Sequence, residues 1–252
     1  MISLNLVHSL YSGSEPTFPA NPGTISETSE EPQLPNCDNA PEVPRAVLEL
    51  AGEELLVAFR NLQQLCTALN AETTGGRRFS AAAFQIQVSL TQSRLLRLQG
   101  RLDGDFAECL RLSLLAFLAS TFQISTADAH YPYLAGRYRE SCTSLEKHTQ
   151  ISQGLTTWFL MIGAISAFDL EEEWLLDRWR AEVPSTTTWN EMREVLKGIM
   201  WIDAVHDVVG QELFRVLTCK DVGSADPGAS RGYSSKVKLW ATGWAGNTYE
   251  VS

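Results

Sequence analysis

Three things are scarce in this sequence: paired cysteines, positive charge and long apolar stretches. The cysteines are scattered and include no C-x-x-C pair, so neither a zinc site of the usual ligand spacing nor a disulfide framework is predicted. Lysine and arginine total 20 against 30 acidic residues, and the resulting net charge of −10 argues against a surface that grips nucleic acid. The N-terminus lacks the basic and apolar regions of a secretory signal. We therefore expect an intracellular protein that contacts other proteins.

The apolar runs are too short to cross a membrane. The longest, residues 155–168, is interrupted only by small or hydroxyl residues and is followed at once by the acidic segment 169–173. A membrane-spanning helix needs roughly 20 apolar residues. The run is therefore predicted to be a helix buried on all sides within a globular core, and no membrane association is expected.

The composition divides the chain into three parts. Residues 1–43 are rich in proline, serine and acidic side chains and contain no lysine or arginine, which is typical of a disordered segment. Residues 220–252 have a glycine- and serine-rich start and no convincing period, and we predict a disordered tail there. Residues 44–219 show helical periodicity and no strand signal. The sequence thus predicts an all-α domain of about seven or eight helices with disordered N- and C-terminal tails.

Start and stop signals place several of these helices. Thr188 with Glu191, and Asp169 with Glu172, have the spacing of capping boxes, and Pro184 separates the two helices that they begin. The apolar stripe of residues 44–70 must pack either inside the chain or along a dimer seam. Residues 73–78 are predicted to form a turn. The predicted helices cover 44–70, 80–99, 105–122, about 130–145, 155–168, a segment from 169, a segment from 188, and 203–219.

One constellation has the residue types of a catalytic or metal site. Asp203, His206 and Asp207 share a helix face at positions i, i+3 and i+4, where a carboxylate and an imidazole can approach one proton or one metal ion. A metal site usually needs three or more protein ligands, and the other histidines are isolated in the sequence. We therefore predict that Asp203 caps or salt-links the last helix and that His206 is a residue on the face of that helix.

Two further clusters, one acidic and one of tryptophans, have residue types that occur in binding sites. Acidic residues at 171–173 and 177, with a D-x-x-E at 105–108, have some resemblance to the magnesium-binding carboxylates of all-α isoprenoid enzymes. No second metal-binding motif accompanies them, and acidic residues are favoured at helix N-termini in any case. Four tryptophans either line a pocket for an apolar effector or fill the core: Trp158, Trp174, Trp189 and Trp201. We predict no catalytic, cofactor-binding or metal-binding residues, and a protein that is not an enzyme.

A family resemblance rests on the tryptophan-rich half of the chain. Residues 158–167 are WFLMIGAISA, residues 171–174 give E-x-x-W, and residues 188–207 are TWNEMREVLKGIMWIDAVHD. Together with CLRLSLLAFLASTF at 109–122, this pattern resembles the fungal-specific transcription factor domain, the regulatory region of zinc-binuclear-cluster transcription factors. The resemblance spans residues 44–217. It implies an all-α regulatory domain in the nucleus that pairs with other regulators or co-regulators, as a homo- or heterodimer.

The chain departs from that family in one respect: it has no six-cysteine zinc cluster to read DNA. Direct DNA binding is therefore not expected from this chain alone. It either pairs with a full-length regulator or is an incomplete gene product that lacks an upstream DNA-binding exon. Two alternatives to a transcriptional regulator stay open: an all-α metabolic enzyme of the isoprenoid type, and a protein-interaction scaffold without a role in gene regulation.

Overall fold

The computed structural model describes residues 40–73, 81–122, 132–145 and 150–219. Within these ranges the chain is helical and contains no β-strand, so the predicted all-α class is confirmed. The predicted tails lie outside the described residues, apart from positions 40–43, and so does most of the predicted turn at 73–78. The helices, numbered along the described chain, are α1 (Arg45–Leu50), α2 (Glu53–Thr73), α3 (Ala81–Arg97), α4 (Asp105–Phe122), α5 (Pro132–Ser144), α6 (Gln153–Ser166), α7 (Glu173–Glu182), α8 (Trp189–Lys197) and α9 (Asp203–Cys219).

Helices α4 and α6 form the centre of the fold. Every residue from 109 to 118 in α4 and from 155 to 164 in α6 is buried, and the two helices pack extensively against each other. Helices that are apolar nearly all round must lie inside a domain, because any exposed face would leave apolar surface in water. The predicted buried helix over 155–168 is confirmed for residues 155–164, and α6 ends at Ser166, two residues before the predicted end. None of the described helices is long and apolar enough to cross a membrane.

The predicted single helix over 44–70 is two helices. It breaks at Gly52, whose φ of +75° lies in the left-handed region that glycine adopts without strain. The apolar stripe nevertheless continues across the break, since Val47, Ala51 and Leu55 are each at most 2% exposed. The stripe is buried against the chain's own core, so it is not available as a seam between two chains.

Of the two predicted capping boxes, one is confirmed and one is wrong. The Thr188 hydroxyl accepts from the backbone N–H of Glu191, and the Glu191 carboxylate accepts in return from the N–H of Thr188. Asp169 does not begin a helix. Its carboxylate accepts from the N–H of Glu171 two residues on, a local turn that competes with helix formation, and α7 begins only at Glu173. Between the two helices the break at Pro184 is confirmed, since α7 ends two residues before it.

Candidate functional site

Most of the sequence-predicted residues meet around a short non-helical connection, residues 198–202, which we call the α8–α9 link. Its backbone is largely buried, so its carbonyl groups need hydrogen-bond partners inside the protein. Side chains from two distant helices donate to consecutive carbonyls: Gln63 to Ile199 at 2.8 Å, Trp158 Nε1 to Met200 at 2.6 Å, and Asn70 to Trp201 at 2.9 Å. The link is therefore held in one conformation by α2 and α6.

His206 fastens the start of α9 to the link and to α4. Its Nδ1 accepts from the N–H of Ile202 at 3.1 Å, so the ring proton is on Nε2. Nε2 lies 3.2 Å from the Thr121 hydroxyl, which donates its own proton to the carbonyl of Phe117 and can accept from His206. The ring is fully buried, and this burial lowers the pKa of His206 to about 3. Both nitrogens are engaged and the ring is neutral, as suits a structural histidine.

The burial of His206 predicts a pH dependence of stability. Because its pKa is about 3 in the folded chain and 6.5 for an ordinary histidine, the unfolded chain binds one more proton between these pH values. Lowering the pH below 6.5 should therefore reduce the free energy of unfolding by about 1.4 kcal/mol per pH unit through this residue alone. Urea denaturation at a series of pH values from 7.5 to 4.5, followed by tryptophan fluorescence, measures the slope.

His206→Asn is the matched variant for this measurement. The asparagine carbonyl can take the place of Nδ1 as acceptor for the N–H of Ile202, but it does not titrate. The variant should be less stable at pH 7.5, and its stability should fall less steeply with decreasing pH than that of the wild type. Equal slopes in the two proteins would show that His206 is not held neutral in the folded chain.

Ion pairs between α8 and α9 lie beside the α8–α9 link. Arg193 on α8 holds Asp207 on α9 through two hydrogen bonds of 2.9 Å, and the pair raises the pKa of Arg193. Asp203 forms ion pairs with Arg193 at 2.9 Å and with Lys197 at 2.8 Å, which confirms the predicted salt link. Asp207 also accepts from Trp201 Nε1 at 2.8 Å. These contacts bind α8 to α9 across the link.

Most of the predicted tryptophans belong to this region, but not all. The rings of Trp201 and His206 have centroids 4.8 Å apart, and Phe117 lies between His206 and Trp158 at 5.1 and 6.2 Å. Trp189 is 6.3 Å from Trp201. Trp174 is elsewhere, in a separate aromatic group with Phe168 and Tyr138. The four rings thus pack between helices rather than around one shared pocket.

The acidic residues of the isoprenoid alternative do not converge. Glu171, Glu173 and Asp177 are exposed on the surface, while Glu108 points to an arginine of its own helix. In the part of the chain that the structure describes, no group of three or more histidine, cysteine, aspartate or glutamate side chains could hold a metal ion. Carboxylates that face outward cannot jointly bind magnesium in a cavity, which counts against that alternative.

A surface groove of about 390 Å³ lies between the start of α6, the α7–α8 connection and α8. Its apolar part includes Val183, Pro184, Met192 and Val195, and it is open to solvent. Sequence reasoning did not predict it, because three segments that are separated in the chain form it. The groove is lined neither by the four predicted tryptophans nor by Asp203, His206 or Asp207.

Two buried polar arrangements were also missed. Arg111, which interrupts the apolar face of α4, is only 2% exposed and forms two hydrogen bonds of 2.7 and 2.8 Å with Glu108. The i, i+3 spacing of the two residues was a signal that could have found the pair. Cys109 and Cys142 bring their sulfur atoms to 3.7 Å. The sequence could not predict the contact between these two cysteines, because they are on different helices.

No family model, no curated protein and no solved structure matches this chain. The resemblance to the fungal-specific transcription factor domain therefore stays a prediction that depends on the residues quoted for it. Those residues include Trp158, Trp201, Asp203 and His206, which the structure places at and around the α8–α9 link.

Proposed function

We propose that this chain is a fungal transcriptional regulator, or a truncated relative of one, that acts through its helical regulatory domain. In this proposal it works in the nucleus, contacts other regulators, co-regulators or an effector, and reads no DNA by itself. One observation carries it: side chains that define the resemblance join α6 and α9 to the α8–α9 link through hydrogen bonds. The resemblance is therefore carried by residues that hold the helices of the domain together.

The chemistry of the same residues supports a binding role over a catalytic one. His206 has both ring nitrogens hydrogen-bonded, and Asp203 and Asp207 are ion-paired. A general base needs a nitrogen or carboxylate that can reach a substrate proton. The net charge of −10 also favours protein partners over nucleic acid.

A tethering assay tests the regulatory role. The chain is fused to a heterologous DNA-binding domain in a fungal reporter strain, and reporter output is compared with that of the DNA-binding domain alone. We expect the fusion to change the output at least several-fold. A fusion carrying the destabilising Gly163→Ala variant should show a smaller effect if the folded helical domain is responsible. Unchanged output together with exclusion of the tagged chain from the nucleus would favour a scaffold without a role in gene regulation.

A second measurement tests the absence of direct DNA reading. The purified full chain is titrated against fluorescently labelled duplexes, and anisotropy is recorded at low and physiological salt. We expect no sequence-selective binding, because the net charge of −10 repels the phosphate backbone. Tight binding that discriminates between duplex sequences would contradict the proposal.

A further inference from the structure

Two cysteines meet across the contact between α4 and α5. Cys109 is fully buried on α4 and Cys142 is 7% exposed on α5, and their sulfur atoms are 3.7 Å apart although the residues are 33 positions apart. Cys66 is also buried, but it lies on α2. The pairing of two thiols from neighbouring helices is thus a specific feature of the α4–α5 contact.

The packing of α5 against its neighbouring helices holds the two sulfur atoms close together. Tyr138, one turn before Cys142 on α5, donates its hydroxyl proton to the carbonyl of Phe159 on α6 at 2.7 Å. This bond fixes the position of α5 relative to α6, which itself packs on α4. A disulfide has a sulfur–sulfur distance of about 2.05 Å, so the atoms must approach by less than 2 Å, within reach of side-chain rotation and a small shift of α5.

We propose that Cys109 and Cys142 are an oxidation site, which closes to an intramolecular disulfide when the protein meets hydrogen peroxide. In the first step the Cys142 sulfur attacks one peroxide oxygen, the O–O bond breaks, and a sulfenic acid and water are formed. In the second step the Cys109 sulfur attacks the Cys142 sulfur, hydroxide leaves and takes the Cys109 proton as water. The two thiols lose two electrons and two protons, and the peroxide is reduced to two waters.

The order of the two steps follows from exposure. Burial and the neighbouring Cys142 sulfur raise the pKa of the Cys109 thiol, which stays protonated at neutral pH and is a poor first nucleophile. Cys142 lies on the outer of the two helices and retains some contact with solvent. The product would tie α5 to α4 covalently and restrict the unfolded chain, so oxidation should raise the midpoint of thermal unfolding by about 5–10 °C.

Peptide mapping of the full chain tests the proposal. The reduced protein is treated with hydrogen peroxide, alkylated with iodoacetamide under denaturing conditions and digested with trypsin. We expect a cross-link between peptides 102–111 and 140–147 that dithiothreitol reverses. Cys142→Ser and Cys109→Ala should both abolish the cross-link and the rise in unfolding temperature. Cys66→Ser, the matched buried control, should retain both.

The circular dichroism spectrum establishes that each variant is helical before its thiols are assayed. Cys142→Ser changes a residue at the edge of the core, so it provides a folded variant even if Cys109→Ala is unstable. The proposal is overturned if the folded wild type forms no 109–142 cross-link under peroxide. It is equally overturned if the sulfur atoms go to sulfinic acids or to bonds between chains, or if the cross-linked protein unfolds at a lower temperature than the reduced one.

Discussion

Glu108→Gln is expected to lower the free energy of unfolding by about 3 kcal/mol or more. The glutamate is the carboxylate partner of Arg111, whose side chain is 3% exposed within α4, and it makes bonds of 2.7 and 2.8 Å to the guanidinium. The substitution keeps the shape of the side chain but removes its charge. The guanidinium would then remain in the core without a carboxylate beside it, next to neutral acceptors such as the glutamine amide oxygen and the carbonyl of Leu95, 3.4 Å away. Urea denaturation followed by circular dichroism measures the loss.

Glu212→Gln is the matched control. Glu212 and Arg215 have the same order and the same i, i+3 spacing on α9, with bonds of 3.2 and 3.0 Å, but both side chains are exposed. Exposed ion pairs contribute little because water and salt screen them, so the expected change is below about 0.5 kcal/mol. Similar losses in the two variants would show that burial does not set the strength of the Glu108–Arg111 pair.

Gly163→Ala is expected to destabilise the fold by about 2 to 3 kcal/mol. At the end of α6 the carbonyl of Gly163 accepts from the N–H groups of Ala167 and Phe168, both at 2.7 Å, so the chain folds back over the helix. A Cβ atom on Gly163 would overlap the ring of Phe168. That ring is 3% exposed and packs against Tyr138 and Trp174, so it cannot move aside without disturbing α5 and α7.

Gly136→Ala separates this steric effect from helix propensity. Gly136 is in the interior of α5, and a Cβ atom there would meet nothing within 4 Å. Alanine is favoured over glycine in a helix interior by about 1 kcal/mol, so this variant should be more stable than the wild type. Thermal unfolding of the two variants should give shifts of opposite sign. Two shifts of the same sign would contradict the close approach of Phe168 to α6.

Local signals predicted the helices well where nothing else competed. The bounds of α4 and α9 follow from apolar periodicity and from the acidic residue that begins each helix, and the Thr188 capping box was recognisable from two residues. Periodicity failed at Gly52 because the apolar stripe continues through the break and hides it. The helix start predicted at Asp169 was wrong because the Asp169 carboxylate accepts a hydrogen bond within a turn.

The candidate site was less predictable than the helices. The sequence pointed to Trp158, Trp201, Asp203 and His206, and the structure brings them together. Their roles could not be derived beforehand, because the partners that define them are carbonyl groups of the α8–α9 link and side chains from helices far away in the chain. The two sulfur atoms of Cys109 and Cys142 illustrate the same limit, since only the packing of α5 on α4 makes them neighbours.

The amides of Gln63 and Asn70 that hold the α8–α9 link are separated from it by 136 and 131 residues. During synthesis, α2 leaves the ribosome long before the carbonyl groups that it will bind exist. Contacts of such sequence separation close late, since the entropy of bringing the ends together must be overcome first. We therefore expect a stage of synthesis in which the apolar faces of α2 and α4 are exposed, because the last four helices have not yet been made. Chaperones can bind the nascent chain at this stage.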